Sequence, residues 1–264
     1  MRFIVCVKQV PSVTEIKIDP KTGTLIREGV PSILNHFDQY ALEEALRIKS
    51  SEDEVIALSM GPLQAQSALL KCLALGADKA VLISDRAFAG SDTFATSYVL
   101  AQALKKLSHF DIIFCGQQAM DGDTAQVAPE LAQNLLIPQV TYVERVESLD
   151  RAKNRVVVKS VTEEGYKLIE VKLPVVLAFL PPTSFVLADP KLSGIMKAKQ
   201  KPLLIWSEKD LEVEKGKYGL DGSPTQVVKV YSPPARERGI VMSEEPKEAS
   251  KKIVKLLLER KLIE

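Results

Sequence analysis

The chain has 264 residues, of which 46% are hydrophobic, so it can form one large α/β domain or one domain with appendages. Its 35 basic and 34 acidic residues leave a net charge of +1, which favours neither nucleic acid nor a membrane surface as a partner. The three cysteines lack the spacing of a zinc site, and no apolar run comes near the roughly 18 residues of a membrane span. Because the sequence opens on a strand-like run, we expect no signal peptide. We therefore expect a cytoplasmic protein that is not inserted in a membrane.

Strand-like and helix-like patterns alternate through the first half of the chain. Helical apolar stripes separate the strands; we expect Asp38 to cap the first helix, Gly76 to end the second and Asp92 to cap the third. Strict alternation with short connections predicts an α/β fold with a Rossmann-like, doubly wound parallel sheet. The predicted buried strands are Phe3–Val7, Val55–Met60, Val81–Ser84 and Phe110–Cys115.

The pattern changes after Pro138. Strand-rich runs separated by turn residues predict an antiparallel meander, followed by a buried strand over Val175–Phe179. Beyond Pro182 the chain is irregular and charged, and such a segment more often lies along another surface or another subunit. A helix with an apolar face follows from Pro246. We therefore predict a core domain over residues 1–180 and an extended C-terminal arm over residues 181–264 that ends in a helix. The predicted meander strands are Val140–Val146, Arg155–Val161 and Lys167–Leu173.

A polar turn follows the fourth predicted strand, over residues 116–126. Open α/β sheets bind ligands at the carboxyl ends of their strands, and helix starts attract anions such as phosphate. The chain has neither G-x-G-x-x-G nor G-x-x-x-x-G-K-[ST], so a nucleotide would bind by another scheme. Asp121 and Asp123 could be metal ligands, ribose acceptors or helix caps, and their position at a helix start favours capping. Pro129 implies a kink or a late start of the next helix.

Two further polar turns suit phosphate groups, at 90–93 and 222–226. Each alone would be an ordinary cap or loop, but together with the turn at Gly116 they favour a bulky phosphate-bearing ligand. His36 and His109 do not form a nucleophile motif with a serine or cysteine, and His109 is expected at the surface. Core packing is favoured for Cys72 and also for Cys6 and Cys115, although the last two end strands near the expected crevice. We predict neither a catalytic side chain nor a bound metal.

Four separated segments, covering nearly the whole chain, together resemble the β subunit of electron-transfer flavoproteins. They are Val5–Pro11, Asn35–Asp38 with Ala41–Ala45, Gly116–Gln126 and Ile195–Lys199. The resemblance implies an adenine-nucleotide α-hydrolase-like fold, a heterodimer with an α subunit, and an adenine nucleotide in this chain. It implies a nucleotide site made of Cys6, Asn35, His36, Phe37, Asp38, Met60, Gly116, Gln117, Gln118, Ala119, Met120, Asp121, Gly122, Asp123, Thr124, Ala125, Gln126 and Val127.

Within that family the chain is similar to the electron-bifurcating group in two stretches, Asp85–Thr93 and Gly222–Val227, which AMP-binding relatives lack. The similarity implies FAD in place of a structural AMP. The chain departs from the family at His36, in the turn that faces the nucleotide, where the N-P-[FY] motif has proline. The residues implied to contact FAD here are Asp92, Thr93, Thr96, Ser223, Pro224, Thr225 and Gln226, and those implied to contact electron-transfer partners are Leu192, Ile195 and Met196.

The resemblance implies a redox subunit rather than a stand-alone enzyme. NADH would reduce the FAD of this chain. One electron would pass to the FAD of the α subunit and on to a dehydrogenase or quinone-linked acceptor, and the other to ferredoxin or flavodoxin. The alternative is a non-bifurcating subunit in which AMP only stabilises the fold. A stress-type ATP-binding protein would need a G-x-x-G and G-[ST] phosphate loop that the sequence lacks.

Overall fold

The computed structural model describes residues 1–12, 31–228, 239 and 241–263. The described residues up to Val228 form one compact unit, and those from 239 onward belong to a second. A nine-stranded sheet forms the centre of the first unit, with the strand order β11-β5-β4-β1-β6-β10-β7-β8-β9. Strands β2 and β3 form a separate two-stranded antiparallel sheet. The strands are β1 (Arg2–Cys6), β2 (Gln9–Pro11), β3 (Ser32–Leu34), β4 (Glu54–Met60), β5 (Lys79–Ile83), β6 (Ile112–Gly116), β7 (Gln139–Asp150), β8 (Arg155–Thr162), β9 (Gly165–Lys172), β10 (Val175–Phe179) and β11 (Leu203–Trp206).

Helices cover both faces of this sheet. The apolar sides of the first two helices pack on one face, together with Phe3, Phe114 and Phe179, and the third and fourth helices pack on the other. Strands covered on both faces must be apolar at nearly every position, and β1, β6 and β10 are buried almost throughout. The doubly wound α/β prediction is therefore confirmed. The helices are α1 (His36–Ile48), α2 (Gln66–Leu75), α3 (Thr93–Leu107), α4 (Val127–Leu135), α5 (Leu192–Ala198) and α6 (Pro246–Glu259).

The strand order reverses between β1 and β6. From β1 the chain adds β4 and β5 on one side, then returns to add β6 on the other side, all in parallel. Such a switch point leaves a crevice at the carboxyl ends of the two strands, because their outgoing loops turn in opposite directions. The crevice of this fold therefore opens at Cys6 and Gly116, where β1 and β6 end.

The antiparallel meander is confirmed. Strands β7, β8 and β9 pair in succession as antiparallel neighbours, and β7 continues the central sheet by pairing in parallel with β10. Alternate residues of β8, such as Val156 and Val158, are buried while the residues between them face outward. This period-2 pattern is the one read from the sequence.

The expectation that the chain after Pro182 leaves the core is wrong for residues 192–206. Strand β11 pairs in parallel with β5 and so extends the sheet at its edge. Helix α5 packs on α2, and the ammonium group of Lys201 donates to the carbonyls of Leu73 (3.0 Å), in the last turn of α2, and of Ala77 (2.6 Å), just after it. A four-residue edge strand with two half-exposed side chains carries too little periodicity to be recognised in a sequence.

Helix α6 belongs to the second unit and follows the sequence prediction. Pro246 occupies its first turn, where a missing N–H is tolerated. Lys251 pairs with Glu248, and Lys252 pairs with Glu244 on the polar side. Among the helices that the structure describes, none combines the length and the apolar character needed to cross a bilayer.

Replacing Gly194 by alanine should destabilise the first unit. A Cβ at this position would lie 2.3 Å from the carbonyl oxygen of Ala74, so α5 would have to move away from α2. We expect the free energy of unfolding to fall by about 1–3 kcal/mol in chemical denaturation. The neighbouring exposed variant Ser193→Ala is the control and should leave it within about 0.5 kcal/mol. Equal stability of the two variants would contradict the packing described here.

Candidate functional site

The carboxylate of Asp38 joins the two strand ends at the switch point. It accepts hydrogen bonds from the backbone N–H of Lys8 (2.8 Å), just after β1, and from that of Gly116 (3.1 Å), at the end of β6. Burial raises the pKa of Asp38 to about 7, although these hydrogen bonds and one from Asn35 act to lower it. The prediction that Asp38 caps a helix is wrong: it is the third residue of α1, and Asn35 is the N-cap residue.

Asn35 holds the polar loop that follows β6. Its side-chain amide donates to the carbonyl of Gln118 (2.9 Å), and its side-chain oxygen accepts from the N–H of Met120 (3.2 Å). Because Asn35 is fully buried, these bonds satisfy groups that would otherwise be costly to bury. His36, the departure from the family motif, is the first residue of α1. A proline is favoured at this position but not required, so the substitution leaves the turn intact.

The loop over residues 117–126 is a separate structure rather than the start of the helix. Asp121 forms an ion pair with Lys8 (2.7 Å), and the side chain of Gln118 donates to Asp123. Helix α4 begins only at Val127, so the prediction that Asp121 and Asp123 cap it is wrong. The late start that Pro129 implied is confirmed, with this proline in the first turn of α4.

Gly116 is required by the packing of the chain on itself. A Cβ there would lie 2.3 Å from Oδ1 of Asp38 and 2.6 Å from Cβ of Phe37, whereas a Cβ at Gly122 would meet nothing within 4 Å. The close approach of α1 therefore requires the small residue at 116.

Gln117 ties the loop to the meander. Its backbone N–H donates to the carbonyl of Phe179 (2.8 Å), and its side-chain oxygen accepts from the N–H of Tyr142 (2.8 Å). The side chain is buried, so this predicted site residue supports the loop from the side that faces the core.

A second polar cluster forms around Asp92. Its Oδ1 accepts from the N–H of Ala95 (3.0 Å), which confirms the predicted cap of α3. Its Oδ2 accepts from both the N–H (2.9 Å) and the hydroxyl (2.7 Å) of Thr225. Burial raises the pKa of Asp92, but these hydrogen bonds together outweigh it, so the pKa lies below its usual value. A carboxylate at the start of α3 thus fixes a segment more than a hundred residues away in sequence.

Ser223 completes this cluster. Its hydroxyl donates to the carbonyl of Gly219 (2.7 Å) and accepts from the N–H of Asp92 (2.9 Å). Gly219 has a φ of 65°, and a Cβ there would lie 2.3 Å from the carbonyl oxygen of Ala87, so no other residue fits without a shift. The structure therefore brings together the two turns, at 90–93 and 222–226, that the sequence analysis singled out separately.

A residue that the sequence analysis missed links α4, the helix after the Gly116 loop, to the start of α3. Oε1 of Glu130, in α4, accepts a hydrogen bond from the hydroxyl of Thr93 (3.2 Å), the first residue of α3. Burial raises the pKa of Glu130. A glutamate in the first turn of a predicted helix was the available signal, but such residues are common for helix-dipole reasons alone.

The remaining predicted residues take varied positions. Cys6 and Cys115 are buried and lie opposite each other on β1 and β6 at the switch point. The pKa of Cys115 is raised well above its usual value, mainly by a hydrogen bond with Cys6 and also by burial. Cys72 is buried in the core and His109 is largely exposed, as predicted. Half-buried residues are Phe37, Met60, Thr96, Ala119, Ala125 and Val127; exposed ones are Thr124, Gln126, Pro224 and Gln226, together with Leu192, Ile195 and Met196 on α5.

The crevice has the features that an anionic nucleotide needs. Gln126, the N-cap residue of α4, makes no side-chain capping bond, so the first N–H groups of this helix are available to an anion. Gly122 leaves open space beside the loop, and Lys8 lies next to it with its side chain half-exposed. These residues fit the phosphate end of an adenine nucleotide.

The chain is similar to several known proteins over most of its length. Residues 22–211 match the family model described as the electron transfer flavoprotein domain. A subunit of the caffeyl-CoA reductase-Etf complex, CarD of Acetobacterium woodii, is 50% identical over 90% of each chain. The electron transfer flavoprotein subunit beta of Thermoanaerobacterium thermosaccharolyticum is 47% identical over 100% of each chain. The acryloyl-CoA reductase electron transfer subunit gamma of Anaerotignum propionicum is 41% identical, again over 100% of each chain.

Replacing Gly116 by alanine should lower the stability of the chain itself, because its Cβ would collide with Asp38 and Phe37. We expect a loss of about 1–3 kcal/mol in the free energy of unfolding without any ligand present. Gly122→Ala is the matched control and should unfold as the unaltered chain does. If Gly116→Ala instead lost only nucleotide and kept full stability, the assignment of this glycine to the packing of α1 would be wrong.

Asp38 should make stability depend on pH. Its pKa of about 7 in the folded state exceeds the usual value of 3.8, so the folded chain binds this proton more tightly than the unfolded chain does. The contribution of Asp38 to stability is complete below pH 4 and is lost as the pH rises to about 7.

The difference in unfolding free energy between the unaltered chain and Asp38→Asn isolates this effect, because groups common to both cancel. From pH 4 to pH 7 the unfolding free energy of the unaltered chain should fall relative to that of Asp38→Asn, by at most about 1.4 kcal/mol per pH unit. A difference that stays constant across this range would show that the carboxyl does not titrate there.

Proposed function

The chain belongs to the electron transfer flavoprotein family, and we propose that it is the β subunit of an electron-bifurcating member that holds FAD in its switch-point crevice. Family β subunits pair with an α subunit and take part in electron transfer. The finer part of this proposal is the identity of the bound nucleotide. In the alternative, the chain is a non-bifurcating β subunit and the crevice holds AMP as a structural ligand.

One observation carries the proposal: the crevice has a second polar wall. Asp92 draws the 222–226 turn against the start of α3, and Glu130 links α3 to the helix that follows the Gly116 loop. The Gly116 loop alone would serve the single phosphate of AMP. A second set of hydroxyl and backbone groups is expected where a longer ligand with a pyrophosphate and a ribityl chain must be held.

We assign the residues to two parts of FAD. The Gly116 loop, positioned by Asn35, and the start of α4 would hold the adenylate part, with phosphate on N–H groups near Asp123 and Thr124 and Asp121 near the ribose. The turns containing Asp92, Thr93, Thr96, Ser223, Pro224, Thr225 and Gln226 would hold the remaining phosphate and the ribityl chain. Cys6 and Met60, at the ends of β1 and β4, would line the floor.

When bound, FAD would supply the redox chemistry, accepting a hydride from NADH and releasing the two electrons to different acceptors. The chain's own residues would bind and orient it and need not act as acids, bases or nucleophiles. We propose the α-subunit FAD, followed by a dehydrogenase or quinone-linked protein, as one route and ferredoxin or flavodoxin as the other. Leu192, Ile195 and Met196, exposed on α5, would contact such a partner. A cytoplasmic location agrees with three free cysteines.

Thr225→Val tests the second wall. It removes the hydroxyl that donates to Asp92 and keeps the backbone N–H bond, so the fold should persist while the 222–226 turn loosens. In the purified heterodimer we expect the Kd for FAD to rise about tenfold, the equivalent of one hydrogen bond to a charged group. Thr162→Val, at the end of β8, is the control. An unchanged FAD affinity would remove the 222–226 turn from the site.

Anaerobic titration of the heterodimer with NADH tests the electron donor. If FAD occupies the crevice, the flavin absorbance should bleach with NADH as sole reductant. A heterodimer whose flavin stays oxidised with NADH, yet is reduced by dithionite, would favour the alternative with structural AMP.

A further inference from the structure

Glu130 occupies an unusual position for a carboxylate. It lies in the first turn of α4, and its Oε1 accepts the hydroxyl proton of Thr93 at the start of α3. The side chain therefore lies where the beginnings of two helices meet, between the Gly116 loop and the cluster around Asp92. Both of these flank the proposed nucleotide crevice.

The second oxygen of this carboxylate makes no hydrogen bond to the residues that the structure describes. This oxygen, Oε2 of Glu130, is buried. Burial raises the pKa of Glu130, and the negative charge of Asp92 raises it further, while the bond from Thr93 lowers it. A buried acceptor without a donor costs free energy, and such costs in a folded chain often mark a binding site.

We propose that Glu130 is a specificity-determining contact of the nucleotide site, whose Oε2 accepts a hydrogen bond from a sugar or ribityl hydroxyl of the ligand. The inference rests on the proposed location of the nucleotide but not on the nucleotide being FAD. The sequence analysis did not include this residue in the site.

The charges around Glu130 explain why the donor is a hydroxyl. Asp92 is close enough to act on Glu130 electrostatically, so a phosphate placed here would face two acidic groups. Phosphate is better served at the Gly116 loop, where Lys8 and the free N–H groups of α4 are available. Ligand hydroxyls supply the donors that this oxygen lacks. The acidic pair thus disfavours a phosphate at Oε2 of Glu130 itself, and the phosphate assigned to the second wall would lie against the 222–226 turn instead.

The test uses the heterodimer, stripped of nucleotide and titrated with FAD and with AMP. Glu130→Met keeps the length of the side chain and removes both acceptors. We expect the Kd of the nucleotide that the unaltered protein retains to rise about 10- to 100-fold. Glu163→Gln, an exposed carboxylate in the β8–β9 turn, is the control and should bind as the unaltered protein does.

The two ligands identify the hydroxyl. Weaker binding of both FAD and AMP by Glu130→Met would assign the contact to the ribose, and weaker binding of FAD alone would assign it to the ribityl chain. If the unaltered protein retains only AMP, the bifurcation proposal fails, but a loss of AMP affinity in the variant still supports the role of Glu130. Unchanged affinity for the retained nucleotide overturns the inference.

Thermal unfolding of the ligand-free heterodimer separates binding from support of the fold. The variant removes the unpaired buried acceptor Oε2, which costs stability, together with the Oε1 acceptor of the Thr93 hydroxyl, which contributes it. Because these effects oppose each other, its unfolding midpoint should stay close to that of the unaltered protein. A midpoint that falls together with the affinity would mean that Glu130 only supports the fold, and the inference would be wrong.

Discussion

The structure depends on how one buried carboxylate satisfies the ends of two strands. At the switch point, β1 and β6 turn away from each other, and the N–H groups of Lys8 and Gly116 would be left without partners. Asp38 takes both, which fixes the start of α1 against the sheet. Gly116 must then be a glycine, because α1 leaves no room for a Cβ. With α1 in place, the side chain of Asn35 can hold the polar loop through two hydrogen bonds, to the carbonyl of Gln118 and from the N–H of Met120. These contacts within the chain give the crevice its shape.

Asp92 repeats this principle at the start of α3. One of its oxygens caps the helix and the other binds the backbone and hydroxyl of Thr225. A single carboxylate thereby joins local helix formation to a long-range contact, and it does so at the proposed second wall of the crevice. Carboxylates at helix starts serve structure in both clusters. The groups that remain for a ligand include the first N–H groups of α4 and the unpaired oxygen of Glu130.

The sequence predicted the architecture well, because buried parallel strands and amphipathic helices leave strong periodic signals. Asp92 was recognised as a cap since the pattern of α3 starts directly after it. Asp38 was misassigned because a carboxylate in a first helical turn has the same local pattern whether it caps the helix or binds remote strand ends. Strand β11 was missed since only its pairing with β5 makes it a strand. The contact of Glu130 with Thr93 depends on the packing of α3 against α4, which no local pattern encodes.

The nucleotide content of the purified heterodimer tests the central claim most directly. Denaturing the complex, separating the released nucleotides and quantifying them against protein requires no assumption about the electron acceptors. If the second wall holds a second flavin, the account predicts two FAD and no AMP per heterodimer. One FAD and one AMP would contradict it, and would leave the crevice described here as a site for a structural nucleotide.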